Sequence, residues 1–242
     1  MITISIAGKN VGIDNRYPYL ARQCARYHST GAADFTVAAG EAELARERAL
    51  NAAADGHACD YSDGYIESLA VYRKIAEKML DFDTLLFHGS GIAVDGVGYL
   101  FAAVSGTGKS THTRLWREKF GERAVMVNDD KPLLRLTGSG ALLCGTPWNG
   151  KHGLGAPMEV PLKAIVGLNR APENAIRRAS VYELLPLLLQ QTYRPNNPAL
   201  LSKTLALVDR LCESIELYTL QCNMNPDAAD VSYAGMNRKD CL

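Results

Sequence analysis

The stretch Ala-Val-Ser-Gly-Thr-Gly-Lys-Ser-Thr, residues 103–111, decides the predicted fold. It matches the second half of the phosphate-loop pattern G-x-x-x-x-G-K-[ST], with Ala103 where the pattern has its first glycine. In such a loop the backbone N–H groups surround phosphate oxygens, the lysine reaches the β- and γ-phosphates, and the next hydroxyl ligates Mg²⁺. The expected nucleotide-binding residues are Ser105, Gly106, Thr107, Gly108, Lys109, Ser110 and Thr111.

The segments on either side of this motif have the patterns that a phosphate loop requires. Residues 98–104 are an almost unbroken apolar run, typical of a strand buried on both faces. After the motif, Leu115, Trp116 and Phe120 recur at helical spacing, and Trp116 is expected in the core. A helix that begins just after Lys109 would point its N-terminus at the phosphates. A chance match in a loop rich in glycine and serine is the alternative.

The composition is that of an ordinary globular protein without an excess of either charge. Of the 242 residues, 47% are hydrophobic, and 26 Lys and Arg balance 26 Asp and Glu. A nucleic-acid or anionic-membrane binder would show a basic excess, so neither partner is expected. No apolar stretch approaches the roughly 18 residues that cross a bilayer. Residues 1–7 alternate like a strand rather than a signal peptide.

The cysteines favour a cytoplasmic protein with reduced thiols, because their spacing includes no C-x-x-C pair and argues against structural zinc. Cys144 and Cys222 lie in apolar runs and are expected to be small core residues. The other four are Cys24, Cys59, Cys212 and Cys241.

The rest of the chain predicts an α/β fold, a mixed sheet with helices packed on it. Residues 1–83 form an N-terminal β/α region of unclear role, either separate from the domain of residues 84–242 or integral to it. Residues 40–54 are compatible with a helix or with a solvated face. The other predicted helices are 66–80, 181–190 with a kink at Pro186, 199–213, and one from Asn225-Pro226 to about Tyr233. Further strands are predicted at 85–87, 162–168 and 215–222.

Asp95-Gly96 between apolar residues predicts a two-residue hairpin that leads into the motif. The register that pairs Val94 with Val97 also places His88 opposite Ala103. That register carries His88 back to the γ-phosphate side of the loop. A β-bulge at one of the neighbouring glycines would shift it by one residue.

A short apolar run at residues 124–127 ends in Asn128-Asp129-Asp130. Phosphoryl-transfer enzymes hold the metal and orient the nucleophile with acidic residues at such a strand end. An acidic turn is the alternative, since Asn and Asp favour turns. The functional interpretation makes Asp129 and Asp130 catalytic candidates together with His88 and Lys109.

A second glycine-rich segment, residues 141–155, contains three candidate substrate residues, Trp148, Lys151 and His152. Glycines allow close backbone approach to a ligand, and Lys and His donors suit an anion. The indole of Trp148 is a candidate for stacking on a base or closing a lid. A purely structural loop is the alternative.

With a hairpin feeding the motif and a downstream Asp129-Asp130, the chain resembles the nucleotide fold of the phosphoenolpyruvate carboxykinase type. It is most similar to HPr kinase/phosphorylase and to the small HPr-kinase-like kinases found near peptide-modification clusters. His88-Gly89 and, more loosely, Gly153-Leu-Gly155 add to the match. The resemblance is good over residues 85–170, weak in the C-terminal third and nearly absent in residues 1–80.

This resemblance implies a kinase that uses ATP and Mg²⁺ to phosphorylate a hydroxyl, most readily a serine of a protein or peptide. Lys109 and the loop amides would bind the ATP phosphates, and Ser110 with Asp130 would hold Mg²⁺. Asp129, backed by His88, would accept the proton of the attacking hydroxyl. The chain has Gly150 where the family has an acid and His152 where it has arginine, so neither phosphorylase activity nor recognition of HPr is expected.

Two other functions stay open on the same residues. One is a kinase of a small metabolite such as a free amino acid or polyol, favoured by an enclosed pocket that includes Trp148, Lys151 and Arg194; an open groove beside Asp129 favours a peptide. The other is a nucleotide-gated binding protein with little turnover, which needs no catalytic base. A homo-oligomer is compatible with each of them.

Overall fold

The structure, a computed structural model, describes residues 1–55 and 61–238, and the chain divides into the units Met1–Phe82 and Asp83–Leu242. Each unit has its own β-sheet. Cys59 and Cys241 lie outside the described residues. Within the described part of the chain, none of the helices combines the length and the hydropathy that a membrane span needs.

The first unit is a three-stranded sheet with helices. The strands β1 (Ile2–Ile6) and β2 (Lys9–Asp14) form an antiparallel hairpin, and β3 (Phe35–Ala38) pairs parallel with β2. The described helices are α1 (Pro18–Gln23), α2 (Glu41–Asp55) and α3 (Asp63–Met79). The segment 40–54, whose sequence is compatible with a helix or a solvated face, is helical, and the predicted 66–80 helix is confirmed with an earlier start.

Two glutamates on these helices are buried. Glu67 accepts hydrogen bonds from the backbone N–H groups of Arg16, at 2.5 Å, and Tyr17, at 3.1 Å. Glu47 forms an ion pair with Arg73. Buried carboxylates need such partners, because an uncompensated buried charge is costly.

The second unit is built on a curled mixed sheet whose strands follow the order β4-β8-β9-β10-β6-β5-β7, with β12 on β10 and β11 on β12. The strands are β4 (Thr84–Leu86), β5 (Ser90–Val94), β6 (Val97–Ala102), β7 (Ala124–Asn128), β8 (Leu133–Thr137), β9 (Gly140–Cys144), β10 (Glu159–Arg170), β11 (Ala175–Arg178) and β12 (Glu216–Cys222). The described helices of this unit are α4 (Lys109–Phe120), α5 (Val181–Gln191), α6 (Pro198–Ser214) and α7 (Asp227–Met236). The predicted strands and helices of this unit are confirmed, with ends shifted by one to three residues.

The long strand β10 makes the sheet curl, because it changes partner along its length. Residues 159–162 pair antiparallel with β9, residues 164–170 pair parallel with β12, and β6 pairs parallel along the other edge.

The hairpin between β5 and β6 has the register that the sequence predicts. Pairing runs from Val94–Val97 to Ser90–Phe101, and the turn residues Asp95 and Gly96 have φ values of 51° and 78°. A β-bulge is present on the other side of β5, between Gly91 and Ile92 where that strand pairs with β7, so it leaves the hairpin register intact.

An aromatic cluster joins α4 to the sheet and to α7. Trp116 is fully buried, with ring centroids 4.9 Å from Tyr99, 5.2 Å from Phe101 and 5.6 Å from Tyr233. The expectation that Trp116 belongs to the core is confirmed. Cys144 is buried as predicted, whereas Cys222 is half-buried and packs against the wider hydrophobic core of this unit.

Strand directions bring several chain segments to one edge of this sheet. β6, β10 and β12 are parallel to one another, and β5 is antiparallel to both β6 and β7. The carboxyl ends of β7, β6, β10 and β12 and the beginning of β5 therefore lie at the same edge, in the spatial order β7, β5, β6, β10, β12. Ligands of α/β proteins commonly bind at such an edge.

Candidate functional site

The predicted catalytic residues meet at this edge. His88 precedes β5, residues 103–108 connect β6 to α4, and Asp129 and Asp130 follow β7. We call residues 103–108 the glycine loop. Two hydrogen bonds join the start of β5 to the turn after β7: the N–H of Gly89 donates to the carbonyl of Asp130 at 3.0 Å, and the Ser90 hydroxyl donates to that of Asp129 at 3.1 Å.

Both glycines of the glycine loop are required by backbone conformation. Gly106 and Gly108 have φ values of 79° and 124°, which residues with a side chain rarely adopt. Ala103 is not among the described residues with positive φ, so a methyl group is tolerated where the motif has its first glycine. The helix α4 begins at Lys109, one residue earlier than expected.

Lys109 folds back over the glycine loop. Its Nζ donates a hydrogen bond to the carbonyl of Ala103 at 3.0 Å. Partial burial lowers the pKa of Lys109, and the negative charge of Asp130 opposes that decrease. The ammonium group therefore contacts the loop backbone and is within the electrostatic influence of Asp130.

Arg170, the last residue of β10, donates hydrogen bonds to two carbonyl groups of the glycine loop. Its Nε donates to the carbonyl of Thr107 at 3.1 Å, and its Nη2 donates to the carbonyl of Gly106. The C=O and N–H groups of one peptide plane point in opposite directions. With both carbonyls turned toward Arg170, the N–H groups of Thr107 and Gly108 are directed away from it. Sequence reasoning missed this residue.

Asn128 shapes the acidic turn. Its Oδ1 accepts hydrogen bonds from the N–H groups of Asp130, at 2.9 Å, and Lys131, at 2.6 Å, and its Nδ2 donates to Thr146 Oγ1 at 3.0 Å. Asn side chains commonly stabilise turns in this way. The turn chemistry noted as an alternative is therefore present, and it is what positions the two aspartates.

Two side chains, those of His88 and Lys131, contact the carboxylate of Asp130. Its Oδ1 is 3.3 Å from Nε2 of His88, and its Oδ2 is 2.5 Å from Nζ of Lys131. Burial by itself would raise the pKa of Asp130, but the hydrogen bonds and charges of His88 and Lys131 outweigh burial and hold it well below its usual value. The resemblance implies that His88 supports Asp129, whereas the structure pairs His88 with Asp130.

Asp129 is held by the second glycine-rich segment. Its Oδ1 accepts a hydrogen bond from the N–H of Gly150 at 2.7 Å, and a Cβ at position 150 would come within 3.2 Å of Oδ2. Glycine at this position therefore lets the backbone approach the carboxylate closely.

The three candidate substrate residues have different environments. Trp148 is only 3% exposed, so its indole packs in the interior instead of lying at a surface where a base could stack. Its carbonyl accepts a hydrogen bond from Asn128 at 3.2 Å. Lys151 and His152 are exposed, as is Arg194.

The metal-binding groups near the glycine loop are few, as suits Mg²⁺, which takes most of its ligands from phosphate and water. In the described ranges, no three His, Cys, Asp or Glu side chains group closely enough to hold an ion. Mg²⁺ typically binds one or two carboxylates and completes its shell with substrate phosphates and water. Ser110, which is exposed on the first turn of α4, and the ionised Asp130 fit that requirement.

In the described part of the chain, Gly106, Thr107 and Arg170 line two cavities that adjoin the glycine loop. The larger measures about 850 Å³ and extends from the loop to Glu183 and Gln190 on α5. The smaller measures about 410 Å³ and extends from the loop past α4 to the end of β12.

No protein-family model and no curated protein matches this chain. Among solved structures, the Hpr(Ser) kinase/phosphatase from Coxiella burnetii is similar at a TM-score of 0.30 and 16% sequence identity, over 52% of this chain and 96% of that one. Similarity at this level does not assign the chain to a family.

Proposed function

We propose that the unit Asp83–Leu242 is an ATP-dependent kinase that transfers the γ-phosphoryl group to a hydroxyl, with a serine of a protein or peptide as acceptor. The observation that carries this proposal is the convergence of the glycine loop, Lys109 and the His88–Asp130 pair at one edge of the sheet. Phosphoryl transfer depends chiefly on positioning and charge neutralisation, and these groups supply both.

The loop amides and Lys109 bind the phosphates in this proposal, while Ser110 and Asp130 hold Mg²⁺. The ion, when bound, neutralises charge on the β- and γ-phosphate oxygens. The low pKa of Asp130 keeps its carboxylate ionised and makes it a poor proton acceptor. His88 and Lys131 orient that carboxylate.

Asp129 is the proposed general base. The acceptor oxygen attacks the γ-phosphorus as the bond from that phosphorus to the bridging oxygen of ADP breaks, and the hydroxyl proton passes to Asp129. The hydrogen bond from Gly150 fixes Oδ1 of this carboxylate. Because this hydrogen bond involves Oδ1 only, Oδ2 can accept the proton.

A protein or peptide acceptor is favoured by the surface next to Asp129. The segment that follows Gly150 is exposed from Lys151 to Leu154. A chain segment can therefore approach Asp129 from solvent.

The alternative of a small-metabolite acceptor has less support. An enclosed pocket that includes Trp148, Lys151 and Arg194 would favour it, but none of these three residues lines the larger cavity, and neither does Asp129. That cavity adjoins the glycine loop on the side of β10 and β12.

Transfer of label from γ-labelled ATP, with Mg²⁺ and either peptide or metabolite pools, tests the proposal. We expect transfer by the native protein, none by Lys109→Ala, and native transfer by Lys119→Ala, which removes an exposed lysine from the same helix. Asp129→Asn should bind ATP but lose transfer. Robust transfer by Lys109→Ala would refute the assignment, and full transfer by Asp129→Asn would remove the proposed base.

A further inference from the structure

The glycine loop has chemically different neighbours on its two sides. Toward β5 and β7 lie His88, Asp129 and Asp130, and toward β10 and β12 lies the smaller cavity. The cavity is lined by Gly106, Thr107, Gly108, Thr111, His112, Arg170, Ala171, Cys222, Asn223 and Met224. Both cavities lie on this second side. The described lining of the smaller one contains no carboxylate, whereas that of the larger one includes Glu183, which is paired with Arg177.

This asymmetry gives a direction to a nucleotide bound at the loop. The γ-phosphate must lie near the general base and the metal ligand, on the side of β5 and β7. A triphosphate that crosses the loop from that end then directs its α-phosphate, and the nucleoside attached to it, toward β10 and β12. The smaller cavity begins at Thr111 on the first turn of α4 and lies on that side.

The cavity has the size and the surfaces that a nucleoside needs. Its volume of about 410 Å³ is within the range of small-molecule sites. Ala171, Cys222 and Met224 give it an apolar wall, and Met224 is 77% exposed. A thioether makes favourable contacts with aromatic rings, and the Arg170 guanidinium is planar and weakly hydrated, as suits stacking.

We propose that this cavity holds the nucleoside half of the nucleotide, with a purine base against Met224 and Ala171 beside Arg170. This inference rests on the proposed function, because the direction of the triphosphate depends on the positions of the base and the metal ligand.

The same cavity offers few polar groups that could read the edge of the base. The Oδ1 of Asn223 accepts hydrogen bonds from the N–H of Asn225 and from Asn174, and its Nδ2 donates to the carbonyl of Pro172. The carbonyl of Cys222 accepts a hydrogen bond from the N–H of Ala171 at 3.0 Å. The base is therefore bound by stacking and apolar contact, so adenine and guanine nucleotides bind with similar affinity.

Calorimetric titrations with Mg²⁺ and three ligands test this inference: nonhydrolysable analogues of ATP and GTP, and inorganic tripolyphosphate. We expect Met224→Ala to weaken binding of both analogues about two- to tenfold and to leave tripolyphosphate binding unchanged. Ala171→Trp, which fills the cavity, should weaken the analogues more strongly and also spare tripolyphosphate. The control Leu205→Ala truncates another exposed apolar side chain and should bind all three ligands like the native protein.

The outcomes separate this inference from the proposed function. Native affinity of Met224→Ala for the ATP analogue, with tripolyphosphate bound by the native protein, overturns the nucleoside cavity and leaves the phosphate loop in place. An equal loss of affinity for all three ligands in Met224→Ala also overturns the nucleoside cavity. Failure of the native protein to bind any of the three overturns both. A preference for ATP over GTP beyond about threefold refutes recognition by stacking alone.

Discussion

The Nε2 atom of His88 lies 3.3 Å from Oδ1 of Asp130, although the β5–β6 hairpin and the whole of α4 separate these residues in the chain. Through this contact His88 orients the carboxylate of Asp130, the proposed metal ligand. Removing the imidazole leaves Asp130 oriented by Lys131 alone. We expect His88→Ala to lower activity about ten- to a hundredfold at limiting Mg²⁺, as loss of a partner behind a metal ligand typically does.

Magnesium titration of kinase activity distinguishes this role from support of Asp129. If His88 acts through Asp130, saturating Mg²⁺ restores much of the lost rate, and His88→Gln retains part of the Mg²⁺ affinity. A loss of kcat that persists unchanged at saturating Mg²⁺ would favour support of Asp129. His28→Gln, which changes an exposed histidine in the other unit, serves as the control and should behave like the native protein.

The conformation of the glycine loop leads us to expect opposite results for the substitutions Gly108→Ala and Ala103→Gly. Gly108 has a φ of 124°, so Gly108→Ala forces alanine into a conformation that costs about 1–3 kcal/mol, and we expect the loop to rearrange and lose tripolyphosphate affinity. Ala103→Gly meets no such barrier and should keep that affinity while lowering the free energy of unfolding by about 0.4–1 kcal/mol. Calorimetry and urea denaturation measure the two effects. Native affinity of Gly108→Ala would contradict this account.

The parts of the site that sequence predicts are those set by local rules. An Asp-Gly turn between apolar strands specifies its own pairing, which is why the Val94–Val97 register could be obtained and then followed toward His88. The strand, glycine loop and α4 follow from hydrophobic pattern and motif in the same way.

Arg170 could not be found by these rules, because its position depends on a long-range pairing. β10 pairs parallel with β6 up to Gly167–Ala102, and continuation by a few residues brings Arg170 beside the glycine loop. Hydrophobic pattern identifies β10 as a strand but does not select its neighbours. The pairing of His88 with Asp130 and the burial of Trp148 likewise depend on tertiary contacts.

Arg170 should affect nucleotide affinity more than stability, since it is exposed and its described hydrogen bonds go to loop carbonyls. We expect Arg170→Ala to raise the KM for ATP about ten- to a hundredfold, equivalent to the roughly 1.5–3 kcal/mol of charged hydrogen bonds, with a smaller change in kcat. Arg170→Lys should rescue little, because an ammonium group lacks the planar fork.

Steady-state kinetics with an arginine control measure that effect. Arg123→Ala removes an exposed arginine paired with Asp95 in the same unit and should leave the KM for ATP unchanged. An unchanged KM in Arg170→Ala would show that the glycine loop keeps its conformation without this contact.

His112 on α4 introduces a pH dependence of stability. It is buried against Phe101, and its Nε2 lies 3.1 Å from both Trp116 Nε1 and Ser232 Oγ. Burial lowers the pKa of His112 to about 4 from an ordinary 6.5. Between these values the unfolded chain binds a proton that the folded chain does not, so the free energy of unfolding decreases as the pH falls through this window. The total loss is roughly 3 kcal/mol by pH 4.

Tryptophan fluorescence during urea unfolding measures this loss of stability in the unit that contains His112. Both tryptophans of the chain, Trp116 and Trp148, belong to that unit, Asp83–Leu242. We expect His112→Gln to flatten the dependence between pH 6.5 and 4, whereas His152→Gln, at an exposed position, keeps the native slope. The low pKa of Asp130 acts in a separate window: the stability it contributes is present above its ordinary pKa of 3.8 and is lost only as the pH falls below that value. A native slope in His112→Gln would therefore assign the acid sensitivity to another group.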